Sequence, residues 1–173
     1  MRRVPRWGMV CGLTLEWVAL AVWVGGMIVL SGAVIPAVFN TFGGQDSGGM
    51  FLTRAFEGYH RFVIGAGGVL AAMLVGRWWS GEARVTVSVS EIMVLALMVV
   101  IAGVIIVVLH PEAAALQTQA FATKDEAAKK AAFEAFFRVL MPIRLLYMVN
   151  LALGLLLIGI RAKRMLDDDG RSS

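Results

Sequence analysis

Eight residues combine a reactive or polar side chain with a setting in which it is costly or grouped. Glu16 lies inside an apolar run from Val10 to Ile35. A carboxylate in a membrane span costs about 2.5–3.5 kcal/mol at the centre on insertion scales and is a functional candidate by default. It lies about two turns inside the end of the run, within reach of water or Arg6, so a transport or proton-relay role and a solvated or paired role both stand for it. His60 and His110 are the only histidines in the chain. Glu57 precedes His60 by three positions and Arg61 by four, a spacing suited to a local ion network. Two imidazoles and one carboxylate are a minimal metal-ligand set, whereas Arg144 would favour an anion. Trp23, Tyr147 and Asn150 add polar tips inside otherwise apolar stretches.

The missing patterns narrow the chemistry. The single cysteine, Cys11, excludes an intrachain disulfide and a cysteine-cluster metal site. The chain has no H-x-x-x-H, C-x-x-C-H, P-loop or G-x-S-x-G, and no basic-aromatic run suited to nucleic acid. The expectation is therefore a protein without catalytic residues, without a nucleic-acid partner and without a cofactor. Haem or copper at His60 and His110 is the alternative, with His110-Pro111 also readable as a plain kinked helix end.

The elements that must position these residues follow from composition. Of 173 residues, 59% are apolar and 16% charged, against about 45–50% and about 25% in ordinary soluble domains. The mean hydropathy is +0.78. A soluble core of this size cannot absorb so much apolar surface. Four runs, 10–35, 62–79, 92–109 and 143–160, are each long enough to cross a hydrocarbon core of about 30 Å as helices. No alternating barrel strand is present, and helices satisfy their own backbone in lipid. The predicted fold is all-α: one integral membrane domain over 1–173, a four-helix bundle with a helical hairpin extension between spans three and four.

That hairpin comes from Pro111 to Pro142, a charged yet helical segment. Thr123 and Glu126 form a capping-box pattern, and Phe133, Phe136, Phe137 and Leu140 share one face. The Ser80 to Ser90 connection is short and bland, and the Asp167 to Gly170 tail reads as a solvated end. The apolar part of the first run is too long for a signal peptide, so it is read as an uncleaved span. Four spans place both termini on one side, with nine cationic residues there against seven opposite and Trp7, Trp78 and Trp79 at the same interface. The positive-inside rule then puts both termini in the cytoplasm of a bacterial inner membrane. Small residues mark the expected packing faces: Gly12, Ala19, Gly26 and Ala33 in the first span, Gly65, Gly68, Ala72 and Gly76 in the second, Ala96 and Gly103 in the third.

At Trp23-Val-Gly-Gly26, Pro36-Ala-Val-Phe39, Phe56-Glu-Gly-Tyr59 and His110-Pro111, the chain resembles the transmembrane-protein-205-like domain family, compact four-span membrane proteins. The resemblance runs over nearly the whole chain and implies the same fold. A eukaryotic member is associated with resistance to a platinum drug, so it also implies a link to tolerance. Related sequences often carry a histidine near the entrance to the last span, where Ile143 and Arg144 stand here. The W-x-G-G helix is also similar to that of copper-resistance-D-like membrane proteins and their haem-associated relatives. Three readings result. The first is a non-enzymatic inner-membrane protein handling a small solute or metal, through Glu16, Trp23, Asn150 and Tyr147 capped by His60, Glu57, His110 and Arg144. The second is a haem-, copper- or quinone-binding redox protein. The third is an accessory subunit, embedded in the lipid bilayer, that docks a membrane-protein partner or a second copy.

Overall fold

The computed structural model describes residues 6–42, 45–80, 88–123 and 125–170. Four long helices account for them: α1 (residues 6–42), α2 (Gln45–Ser80), α3 (Val89–Ala122) and α4 (Glu126–Gly170). All four are long and apolar enough to cross a membrane. The protein is an all-α integral membrane four-helix bundle, with no strand among the described residues. Most of the Ser80 to Ser90 connection, Arg2 and Arg3, and the side chains of Trp7 and Trp78 lie outside the described residues.

The helices outrun the apolar segments that predicted them. Helix α4 has 45 residues, about 68 Å at 1.5 Å per residue, roughly twice the thickness of a hydrocarbon core. Its first turns pack on His110–Ala122 at the end of α3, where Phe121 and Phe133 meet edge to face at 5.8 Å. This pair is the expected hairpin. Its turn is capped differently from the expected capping box. The Thr123 hydroxyl donates back to the Gln119 carbonyl at 2.8 Å, and the Asp125 carboxylate instead accepts from the Ala127 N–H at 3.3 Å. The reason is conformational: Thr123 already sits past the end of α3 with extended backbone, so Asp125 is the residue next to the new helix.

Apolar residues such as Val10, Leu13, Ile64, Val100 and Leu155 face outward, towards lipid. The interior is a column of Leu20, Trp23, Leu70, Met98 and Leu157. In α1 three of the four small residues pack. A Cβ on Gly12 would lie 2.9 Å from the Met73 side chain, one on Gly26 would lie 2.8 Å from the Tyr59 ring, and Ala19 is buried. Ala33 is exposed. Segments Ala21–Gly25 and Leu30–Val34 are π turns. Gly26, just past the first, keeps its contact with Tyr59, and it is within the second that Ala33 turns out of the interface.

The other two small faces are corrected. Gly65, Gly68, Ala72 and Gly76 all face outward, because Tyr59, Val63, Ala66 and Leu70 take the buried stripe of α2. Within that stretch of α2 it is Gly67 that packs, its Cβ position standing 3.1 Å from the Trp23 ring. In α3, Ala96 is exposed and Gly103 has nothing within 4 Å of its Cβ position, while Leu95, Met98, Ala102 and Ile105 are buried. Large side chains fill those interiors, so the glycines are not needed for close approach.

Candidate functional site: two polar layers and a cavity

Each helix carries polar residues at two levels, and the bundle gathers them into two layers. The first lies near the ends where the termini emerge. Glu16 of α1 meets Arg77 of α2 at 2.8 Å and Arg161 of α4 at 3.0 Å. Glu91 of α3 accepts from Arg161 Nε at 2.8 Å and Arg164 Nη1 at 2.9 Å, with Arg77 Nη2 at 3.4 Å. Glu91 is fully buried, and Glu16 and Arg161 nearly so. Two carboxylates thus lie among three guanidinium groups, with every helix contributing. Planar guanidinium forks suit this sharing, because one arginine can reach two carboxylates at once.

One to two turns further in, Leu20, Leu70, Met98 and Leu157 are each 0% exposed. They form a dry apolar layer. Glu16 therefore belongs to the charged layer, separated from the other residues singled out by chemistry.

The second polar layer lies beyond that apolar plug. His60 Nε2 and the Tyr147 hydroxyl are 2.6 Å apart, and the His60 and His110 rings meet edge to face at 4.6 Å. Tyr59 donates its hydroxyl to the Trp23 carbonyl at 2.6 Å, inside the first π turn. Asn150 donates from Nδ2 to the Met98 carbonyl at 3.4 Å. A recess of about 10 Å³ is lined by Trp23, Tyr59, His60, Tyr147 and Asn150 among others. Three buried polar atoms of this layer, Trp23 Nε1, His110 Nε2 and Asn150 Oδ1, have no hydrogen-bond partner among the described residues. Another π turn, Ile105–Leu109, immediately precedes His110 and sets its direction.

Above the layer, between the hairpin and the outer ends of α1 and α2, lies a cavity of about 260 Å³. Its walls are largely aromatic and aliphatic: Phe39, Phe56, Phe133, Phe136, Phe137 and Leu140. The polar lining consists of Thr53, His110, Gln117, Arg144 and Tyr147. Gln117 is nearly fully buried, its Oε1 taken by the Thr53 hydroxyl and its amide nitrogen lying over Gly49. A Cβ on Gly49 would stand 2.6 Å from that nitrogen, so only glycine fits beneath the amide as it lies.

The structure thus brings His60, His110 and Tyr147 into contact, sets Trp23 and Asn150 beside them, and places Arg144 at the cavity wall. Glu57 pairs with the exposed Arg54 at 3.1 Å while its charge still acts on both His60 and His110. Sequence reasoning did not single out Arg77, Glu91, Arg161 and Arg164, nor Thr53 and Gln117. The first group did carry a signal: each span has a charge near the same end, and the signs are mixed.

The arrangement offers two imidazoles, a phenol, amides and one guanidinium beside an apolar cavity. Among the described residues, no group of three or more His, Cys, Asp or Glu gathers to hold a metal. A bis-histidine haem needs one imidazole on each face of the macrocycle, whereas these two rings touch, so the pair as placed does not fit haem. The contact of 4.6 Å is short enough for a single ion to share both imidazoles after a ring rotation.

Comparison with curated proteins and with solved structures finds no match. Residues 18–122, more than half of the chain, match a family described as a domain of unknown function, DUF4149, and the chain belongs to that family.

Proposed function

We propose that the protein is a non-enzymatic binding protein of the membrane, holding a small solute with an apolar body in the cavity beneath the hairpin. Such binding would be the first step of export, uptake or tolerance. The observation that carries this reading is the cavity of about 260 Å³, with apolar walls and a few convergent polar groups. Ligand sites are built that way, concave and mostly apolar with a small number of placed polar side chains. The dry layer of Leu20, Leu70, Met98 and Leu157 favours a binding site over an open pore. Placement in a bacterial inner membrane with cytoplasmic termini belongs to the same proposal, supported by the nine-to-seven split of cationic residues. The likeness to transmembrane-protein-205-like proteins supports the tolerance arm.

Cysteine labelling in reconstituted vesicles tests it, in a Cys11→Ser background. Ala114→Cys, on the cavity wall, should react with a membrane-impermeant maleimide from the hairpin side. Leu70→Cys should resist the reagent from both sides. Reaction at Leu70→Cys would mean a water-filled pore and would overturn the reading.

A second reading rests on the edge contact of His60 and His110. Two imidazoles beside a phenol could take a copper ion, making the protein a redox or metal-tolerance component. Metal analysis and a visible spectrum of protein purified from cells decide it. Stoichiometric copper lost in His110→Leu, or a haem band, would replace solute binding as the function.

A further inference from the structure

We infer that the cavity's ligand is a single-chain amphiphile with an anionic head, a carboxylate such as that of a fatty acid. This inference rests on the solute-binding reading and names its substrate class. Three observations lead to it. The first is charge. The lining offers one cation, Arg144, together with donors on Gln117, Tyr147 and His110, and no Asp or Glu. Gln117 is nearly fully buried with its carbonyl already taken by Thr53, so what it has left to offer is an amide N–H. A head group that accepts hydrogen bonds and carries negative charge satisfies that set, and a cation does not.

The second observation is depth. Charged side chains at a span's end settle near the membrane interface, so the Glu16, Arg77, Glu91 and Arg161 layer marks one face of the bilayer. A hydrocarbon core of about 30 Å corresponds to about 20 helical residues. Counting about 20 along each helix from that layer arrives at Pro36, Glu57, Pro111 and Met141. These positions lie among the segments that line the cavity, which includes Ile35, Phe56, His110 and Leu140. The cavity therefore straddles the opposite interface, where an amphiphile from the bilayer already holds its head.

The third is size. At about 260 Å³ the cavity falls just below the usual range of ligand pockets, about 300–1,000 Å³. One acyl chain segment fits; the two chains of a phospholipid do not. The Phe133, Phe136 and Phe137 walls supply the apolar surface for such a chain.

The experiment uses full-length protein in phosphatidylcholine nanodiscs and the fluorescent fatty acid 11-(dansylamino)undecanoic acid, with empty nanodiscs as background. Saturable binding should appear and be displaced by dodecanoate, but not by methyl dodecanoate or dodecyltrimethylammonium. Arg144→Gln should weaken the probe about tenfold, the scale of one charge-assisted hydrogen bond. Ala114→Phe, which fills the cavity from its wall, should abolish binding while the circular dichroism and melting temperature stay close to those of the parent. Displacement by the methyl ester as well as the acid, or an unchanged affinity in Arg144→Gln, would overturn the anionic head and leave the cavity a binding site. Loss of probe affinity on adding phosphatidylglycerol to the nanodisc would overturn the single-chain assignment. No saturable binding, or binding that survives Ala114→Phe, would overturn both the inference and the cavity as the site.

Discussion

The charged layer and the histidine layer are built from the same four helices, yet one joins opposite charges and the other gathers aromatic and amide groups with no charge to pair. Near the termini, Glu16 and Glu91 are ion-paired with Arg77, Arg161 and Arg164, although buried Arg161 Nη2, 2.7 Å from Glu91, makes no well-directed hydrogen bond among the described residues. Beneath the hairpin, Trp23 Nε1, His110 Nε2 and Asn150 Oδ1 are buried without a partner among the described residues. Native proteins pair nearly all buried polar groups, so an unpaired set is a sign of unmet function or bound solvent. On the proposed reading the ion-paired layer holds the register of the four helices, and the histidine layer offers hydrogen-bonding groups beside the cavity.

The largest test of that contrast is Glu91→Gln. Removing one partner from a buried charge network typically costs about 3–5 kcal/mol, because the remaining charges are left uncompensated. Arg161, almost wholly buried, would face that penalty directly. Unfolding in mixed micelles of rising dodecyl sulfate should show the loss, with ligand binding in the surviving folded fraction unaltered. A cost as small as that of an exposed ion pair would mean the layer is solvated and the contrast is void.

Next in size is a pair of glycine substitutions. Gly26→Leu should destabilise by about 1–3 kcal/mol, the usual cost of overpacking. Its Cβ would already crowd the Tyr59 ring, and displacing that ring breaks the hydroxyl's bond to the Trp23 carbonyl. The same change at Gly25, with nothing within 4 Å, should cost little. Equal thermal destabilisation in detergent would show that the α1–α2 contact does not hold the histidine layer in place. Smaller still is Tyr147→Phe, which removes the hydrogen bond to His60 at an expected cost of about 0.5–1.5 kcal/mol. Its effect on fatty-acid binding should exceed its effect on melting, the reverse of Glu91→Gln.

Much of the fold was legible because a membrane helix announces itself by length and apolarity alone. The hairpin was legible too, through the face of Phe133, Phe136, Phe137 and Leu140. What escaped was the relative phase of the helices. Glu16 stood out as a lone acid in a long apolar run, but Glu91 begins a span and Arg161 ends one, where charges look ordinary. Their partnership links positions 70 apart in the chain, and no local spacing encodes it. The π turns at Ala21–Gly25, Leu30–Val34 and Ile105–Leu109 hid more. They cost no change in composition, yet each rotates a helix face, and the second in α1 moves Ala33 out of the seam. The gathering of His60, His110 and Tyr147 was anticipated only as a shared end of the membrane, because ring contact depends on those rotations.

The smallest expected effect is also the sharpest discriminator between the two layers. Asn150 is buried, donates one long bond of 3.4 Å to Met98, and leaves its Oδ1 without a partner among the described residues. On protein contacts alone, Asn150→Leu should be nearly neutral, because replacing a poorly satisfied buried amide with an apolar side chain of similar shape removes a desolvation cost as well as a bond. Against this stands the recess of about 10 Å³ between Trp23 and Asn150. That volume is at the threshold for a single water, about 10–15 Å³. The two orphaned atoms are complementary to it, an indole donor and an amide acceptor. A bridging water would make the amide worth about one ordinary hydrogen bond, roughly 0.5–1.5 kcal/mol. Melting of Asn150→Leu within about 0.5 kcal/mol of the parent therefore leaves the recess dry, and the spare polar atoms then serve the ligand alone. A larger loss, matched by Trp23→Phe and not increased in the double variant, would place a water between them and extend the polar layer one step towards the apolar plug.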